Sequence, residues 1–181
     1  FETYNGQISS DDDEVTVTGS DLASAGQDIA VVLIDARGNQ YAEAFTVDDD
    51  GTFDEDIGFG AGASGVFSAS GLSELEEGSI SAHIISPARD GVIGDGSELD
   101  DSNNGNTGTT ADLIEKINSA GSDAYTGTQS QVVSRIVSDT VEATGSDDQI
   151  VSTTFRLASS QTSIADLGGE VAQSDSVTIA G

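Results

Sequence analysis

The sequence predicts a mainly β fold: a sandwich of short strands, interrupted late by a two-helix insertion. Three observations support this. Short apolar runs alternate with turn residues, the strands recur at turn-separated spacing, and helical periodicity takes over between about residues 91 and 145. A length of 181 residues suits one domain. Leu, Ile, Val and Phe make up about 23% of the chain, just above the roughly 20% below which a highly charged chain stays disordered. A core can form, but from small and β-branched residues with little aromatic help. The start at Phe1 and the finish at Gly181 read as cuts from a longer multidomain chain, with 1–181 as a single domain.

In order, Phe1 to Ile8 reads as an opening strand and Asp11-Asp12-Asp13 as an acidic turn. From Glu14 to Thr18, Val15 and Val17 share one face while Thr16 and Thr18 share the other, a strand with one wet side. Ile29 to Ile34 is continuously apolar, so both faces should be covered. Arg37-Gly38-Asn39 turns the chain into Tyr41 to Val47, where Tyr41, Phe45 and Val47 align. Asp49-Asp50-Gly51 then marks a hairpin turn before Thr52 and Phe53. Residues 57 to 71, rich in Gly, Ala and Ser, read as a loop with one poor strand near Val66 and Phe67. Ser73 and Glu76 have capping-box spacing.

Ser79 to Ser86 is a better strand, with Ile80, Ala82 and Ile84 on one face, His83 and Ile85 on the other, and Pro87 stopping it or putting it at an edge. Residues 94 to 108 read as a solvated loop. Leu113, Ile114 and Ile117 then form a helical stripe, and Val132, Val133, Ile136, Val137 and Val141 form a second behind the capping pair Thr128 and Gln131. Asp147 to Leu157 restores strand alternation, with Val151, Thr153, Phe155 and Leu157 on one face. Ser176 to Ala180 reads as a last strand.

The charge balance excludes several functions. There are 33 acidic residues against 5 basic ones, a formal net charge of −28. Such a surface repels phosphate backbones and anionic lipid heads, which argues against nucleic-acid partners and direct membrane binding. Lys116 is the only lysine; Arg37, Arg89, Arg135 and Arg156 are the other cations. A surface with short anionic and hydroxyl side chains in place of lysine fits molar salt. There the Debye length falls from about 10 Å at 0.1 M to about 3 Å, and self-repulsion is screened. Salt cations are then the expected counterparts. The competing reading is an acidic extracellular domain balanced by bound calcium.

Catalytic constellations are sparse. His83 is the only imidazole, and no G-x-S-x-G elbow accompanies any serine, so it reads as a half-buried strand histidine with a hydrogen-bond partner. With one His and no Cys, zinc and iron sites are not expected. Gly60 to Gly65 matches G-x-G-x-x-G, but neither a βαβ pattern nor a strong helix signature accompanies it. No enzymatic activity and no required cofactor are expected. Hard cations carry more weight: residues 48 to 56 hold six acids in nine positions. Asp48, Asp50, Asp54 and Asp56 are candidate ligands for calcium or another cation, although Thr46 and Ile57 break the EF-hand pattern. The alternative is a turn whose acids stay in solvent.

Several segments together resemble the surface-layer (S-layer) glycoproteins of halophilic archaea, specifically one of their later immunoglobulin-like domains. They include Asn5-Gly6-Gln7, Val15 to Gly19, Asp35 to Asn39, Val47 to Asp56, Ala82 to Ser86 with Arg89-Asp90, Ile93 to Ser97, Thr154 to Ala158 and Ile179 to Gly181. The resemblance runs nearly the whole length in order, helical insertion included. It implies an immunoglobulin-like β-sandwich in a secreted, cell-surface structural protein. It also implies neighbouring domains and copies of the same protein as partners, in a porous lattice supported by divalent cations. Two features depart from the family pattern. No N-x-[ST] sequon occurs, so no N-glycan is expected here, and the Gly/Ala/Ser stretch from Gly58 to Gly78 is longer than the pattern suggests. A calcium-dependent adhesion or carbohydrate-binding module is the alternative, although sugar sites usually want stacking aromatics.

Lowering KCl from molar to about 0.1 M should abolish cooperative thermal unfolding followed by circular dichroism. A melting midpoint indifferent to salt would refute the adaptation to brine.

Overall fold

The computed structural model describes residues 1, 3, 5–10, 14–20, 24–58, 75–97, 99, 108–119 and 124–159. Within them lie seven strands and two helices: β1 (Gln7–Ser9), β2 (Glu14–Ser20), β3 (Asp28–Ile34), β4 (Gln40–Thr46), β5 (Thr52–Gly58), β6 (Gly78–Ser86), α1 (Thr110–Asn118), α2 (Gln129–Asp139) and β7 (Gln149–Ala158). The expected strand near Val66, the turn at Asp11 to Asp13, the Ser73–Glu76 pair and the last strand at Ser176 to Ala180 fall outside, or partly outside, the described residues.

The strands form a five-stranded mixed sheet, β1-β7-β6-β3-β4, and a two-stranded antiparallel sheet, β2-β5. β3 pairs antiparallel with both β4 and β6, and short β1 runs parallel to the end of β7. The apolar run of β3 is completely buried from Ile29 to Ile34. Alternation sends Ile29, Val31 and Leu33 to one face, where they meet Val15 and Val17 of β2 and Phe53 and Ile57 of β5. Ala30, Val32 and Ile34 face the other way, into a second cluster with Leu113, Ile114, Ile117, Val132 and Ile136 of the helices. The molecule therefore has three layers: small sheet, large sheet, helices. A plain two-sheet sandwich is corrected on this point, because the helical stripes cover a sheet face that would otherwise be exposed.

The helices are built locally as the sequence indicates. Thr109 caps α1, accepting from the Asp112 N–H at 3.2 Å while the Asp112 carboxylate accepts from the Thr109 N–H at 2.8 Å. At α2 the Thr128 N–H donates to Gln131 Oε1 at 3.0 Å. Side chains then tie the helical layer to the sheet. Thr110 donates to the Asp28 carbonyl at 2.9 Å, and Gln129 to the Ile34 carbonyl at 2.8 Å.

Three further expectations change in detail. The opening strand is confined to Gln7–Ser9, because Asn5 and Gly6 both adopt positive φ and turn the chain. The Asp49-Asp50-Gly51 turn is present, with the Gly51 N–H on the Asp48 carbonyl at 3.0 Å, but it joins no hairpin. β4 belongs to the large sheet and β5 pairs with β2, so the turn is a corner between sheets. Residues 57 and 58, expected in a loop, complete β5. In β7 the alternating face is as expected, yet only Phe155 and Leu157 are buried on it, while Val151 is 51% exposed.

Packing around β3 sets the stability scale. Leu33→Ala and Phe155→Ala should each cost about 2–5 kcal/mol in denaturant unfolding at molar salt. Melting curves unchanged by both substitutions would mean that these faces are not the core.

Candidate functional site

The acidic corner between the sheets carries the candidate cation ligands. Asp48 and Asp50 sit in the turn after β4, and Asp54 and Asp56 lie on β5; all four are exposed. Asp50 Oδ1 accepts from Thr52 Oγ1 at 2.6 Å and from the Thr52 N–H at 3.1 Å. These two bonds, the side-chain one leading, hold the Asp50 carboxyl below its ordinary range. On β5, Asp54 and Asp56 stand opposite Thr18 and Thr16 of β2, and Thr16 Oγ1 donates to Asp56 at 2.7 Å. The corner thus brings Asp48 and Asp50 together and sets Asp54 and Asp56 apart from them along a strand. Among the described residues no group of three or more acidic or histidine side chains is arranged to hold a metal ion.

By strand alternation Glu55, also exposed, lies on the other face of β5 from Asp54 and Asp56, within electrostatic range of Glu43 on β4. Burial, with Glu55 adding repulsion, keeps the Glu43 carboxyl raised against the opposing pull of the Tyr41 hydroxyl that donates to it. Crowded acids here are an electrostatic load on the fold.

Inside the protein, carboxylates are held mainly by backbone N–H groups. Asp35 is 1% exposed. Its two oxygens accept from the N–H groups of Arg37, Asn39 and Glu76 and from Asn39 Nδ2, at 2.7–3.0 Å. Burial alone would raise its pKa, but these four donors together outweigh it and hold the group lowered. Asp35 thereby fastens the β3–β4 turn to the approach to β6. Gly38 in that turn has φ +92°, and a Cβ there would strike the Gly127 carbonyl ahead of α2.

Asp148 is the opposite case. It is buried, Oδ2 accepts from the Gly94 N–H at 2.8 Å, and Oδ1 has no partner among the described residues. Burial pushes its carboxyl up, and the nearby charges of Asp90 and Asp147 add to this, while the bonds to Gly94 and Ser146 oppose it.

His83 lies buried in β6 between two hydroxyls, with Ser81 Oγ 2.7 Å from Nε2 and Ser152 Oγ 2.8 Å from Nδ1. Burial lowers its pKa, favouring the neutral ring. This is the hydrogen-bonded strand histidine that the sequence indicates. Sequence reasoning did not single out Asp35 or Asp148. Asp35 had a usable signal, an Asp leading into Gly and Asn turn residues, whereas nothing around Asp148 marks it as buried.

Cations are placed at joints. Lys116 Nζ reaches Asp139 Oδ2 at 2.8 Å and lies 4.9 Å from the Tyr125 ring centroid, and the Tyr125 hydroxyl donates to the same Asp139 oxygen at 2.9 Å. Burial first, then the Asp139 charge and its hydrogen bond, drive the Tyr125 hydroxyl far upward. Arg37 pairs with Glu76, and Arg89 with Asp147 at 3.0 Å. Both arginines are largely exposed, so these pairs add little stability.

Two substitutions separate the carboxylates. Asp35→Ala should cost on the order of 1.5–3 kcal/mol or more at neutral pH. Because its folded pKa is lowered, Asp35 stabilises fully above pH 3.8, and its contribution is lost as pH falls through the lower folded value. Asp148→Asn should instead raise the melting midpoint at pH 7. Its folded pKa is raised, so the charged group penalises the fold above that value, and the mutant's advantage should fade as pH falls toward 3.8. A mutant less stable at pH 7 would show that the Asp148 charge is needed.

No family profile matches the chain. Individual relatives do. The chain is 39% identical over all of its 181 residues to the "Cell surface glycoprotein" of Haloarcula japonica. It is 39% identical over 172 residues, 94% of the chain, to that of Halobacterium salinarum, and 36% identical over 168 residues to that of Haloarcula marismortui. These stretches amount to 18%, 17% and 16% of the relatives, so the chain spans less than a fifth of their length. With every described element inside the first of these matches, the chain belongs with the haloarchaeal cell surface glycoproteins, as the counterpart of one segment of them.

Proposed function

We propose that this chain is a structural segment of a haloarchaeal surface-layer protein, placed at the cell surface and contributing to a self-assembling porous lattice in high salt. The observation that carries the reading is the match along the entire chain to cell surface glycoproteins. The physical character of the molecule supports it. Its surface is acidic and poor in lysine, its only histidine is buried between two serines, and its one lysine is held at a partly buried joint by Asp139. The role is architectural: the segment spaces neighbouring domains and copies, excludes large solutes, and presents an acidic face without catalysing a reaction. Asp48, Asp50, Asp54 and Asp56 hold salt cations, calcium among them, as a diffuse layer.

The fold reading is immunoglobulin-like. Its support is the strand order: β7-β6-β3-β4 corresponds to a G-F-C-C′ sheet, β2-β5 to an opposing B-E pair, and β1 runs parallel to the last strand. The helices between β6 and β7 then fill the F–G connection.

Two measurements test the function. Antibodies raised against the chain should label the outside of cells that make it, in a regularly spaced array. Calcium titrated into the chain in molar KCl should show only weak uptake without a fixed stoichiometry. Intracellular or randomly scattered label would overturn the lattice role. A tight stoichiometric calcium site that reorganises the fold would favour the adhesion module instead.

A further inference from the structure

Two consecutive acids, Asp147 and Asp148, lead into β7, and both reach the loop that follows β6. Arg89 Nε donates to Asp147 Oδ2 at 3.0 Å, and the Gly94 N–H donates to Asp148 Oδ2 at 2.8 Å. Each carboxylate is thus anchored to that loop by one oxygen. The other oxygen of each, Oδ1, is shut off from solvent and has no hydrogen-bond partner among the described residues. Asp148 as a whole is only 7% exposed.

Buried polar atoms nearly always find a partner, and leaving a charged one without is the costliest case. One other buried side-chain atom among the described residues shares this state, Gln40 Oε1, and it belongs to a neutral amide that a water molecule satisfies. At Asp148 the charges of Asp147 and Asp90 act on the same place, and their field favours a cation over neutral water. The charge balance then sets the kind of cation. Arg89 offsets Asp147, and Asp90 is exposed, where bulk salt screens it. One uncompensated buried charge remains, that of Asp148. No third acidic or histidine side chain among the described residues joins the pair to hold a metal ion. Calcium takes six to eight oxygens and clustered carboxylates, so two oxygens around one net charge suit a singly charged ion better.

We propose that Asp147 Oδ1 and Asp148 Oδ1 hold one alkali cation, sodium or potassium, between the entry to β7 and the loop after β6, with water completing its oxygen shell. The ion joins two segments that are far apart in sequence and removes the penalty of burying Asp148. Part of the salt dependence of this fold is therefore binding at one place, separate from screening over the whole surface. The inference concerns the chain itself and stands apart from the lattice reading.

The test keeps the salt molar and changes only its cation, so that screening is constant. Tetramethylammonium is too bulky to enter between two buried oxygens. Sodium chloride titrated into the chain in molar tetramethylammonium chloride should give a saturable sodium NMR response of one ion per chain. Asp148→Asn should abolish it, Asp147→Asn should weaken it, and Asp54→Asn at the exposed corner should leave it unchanged. Sodium at ten times its dissociation constant shifts the unfolding equilibrium about tenfold. The melting advantage of Asp148→Asn over the parent should accordingly be a few degrees smaller in NaCl than in tetramethylammonium chloride. Competition by KCl identifies which alkali ion the place prefers. Sodium uptake that never saturates, uptake unchanged in both Asp147→Asn and Asp148→Asn, or displacement of sodium by one equivalent of calcium would overturn the proposal. None of these results bears on the ordered surface array, which antibody labelling of cells judges separately.

Discussion

Six consecutive apolar residues in β3, each with no measurable exposure, impose the requirement that the rest of the fold satisfies. A strand that is apolar on one face needs one cover; a strand apolar on both needs two. The small sheet supplies the first through Val15, Val17, Phe53 and Ile57. It cannot supply the second, so the helices between β6 and β7 do, with their stripes of Leu113, Ile114, Ile117, Val132 and Ile136 in one cluster with Ala30, Val32 and Ile34. The insertion is thus a structural layer. Its caps and its side-chain bonds to the Asp28 and Ile34 carbonyls follow from having to sit squarely on the sheet.

The scarcity of cations shapes how the polar groups are satisfied. With 5 basic residues against 33 acidic ones, ion pairs cannot neutralise most carboxylates. In molar salt, exposed pairs are weak in any case. Asp35 shows the arrangement that remains effective: four N–H donors hold its charge while it is buried, a bonding pattern that added salt does not screen away. Lys116 is kept for a partly buried joint, where Asp139 and the Tyr125 ring both hold it. Asp148, with an oxygen unpaired among the described residues, shows the cost when such donors run short.

Much of this was legible in the sequence, and the parts that were not share a cause. The strands β2, β3, β4, β6 and β7 and both helices follow from periodicity, and the covered faces of β3 follow from its unbroken apolar run. Periodicity is a local property, however. It identifies a turn at Asp49-Asp50-Gly51 but not whether the two flanking strands share a sheet, which depends on β2, some thirty residues upstream. It identifies an apolar stripe on each helix but not the surface that receives it. It marks Val151 and Phe155 as sharing a face, yet only Phe155 is buried, because burial depends on how far the opposing sheet extends.

The same distinction governs the acidic run from Asp48 to Asp56. Six acids in nine residues look like a chelating cluster while the chain is read as a line. Folding disperses them. The corner turn carries Asp48 and Asp50, and β5 then alternates, placing Asp54 and Asp56 beside the threonines of β2 while Glu55, also exposed, lies on the other face of the strand, near enough to Glu43 to repel it. A chelate needs six to eight oxygens converging on one point, and a pleated strand separates consecutive side chains onto opposite faces. Density in sequence therefore becomes an extended anionic surface. That geometry supports the diffuse cation layer proposed for this segment, in which bulk salt does what a discrete ion would do elsewhere.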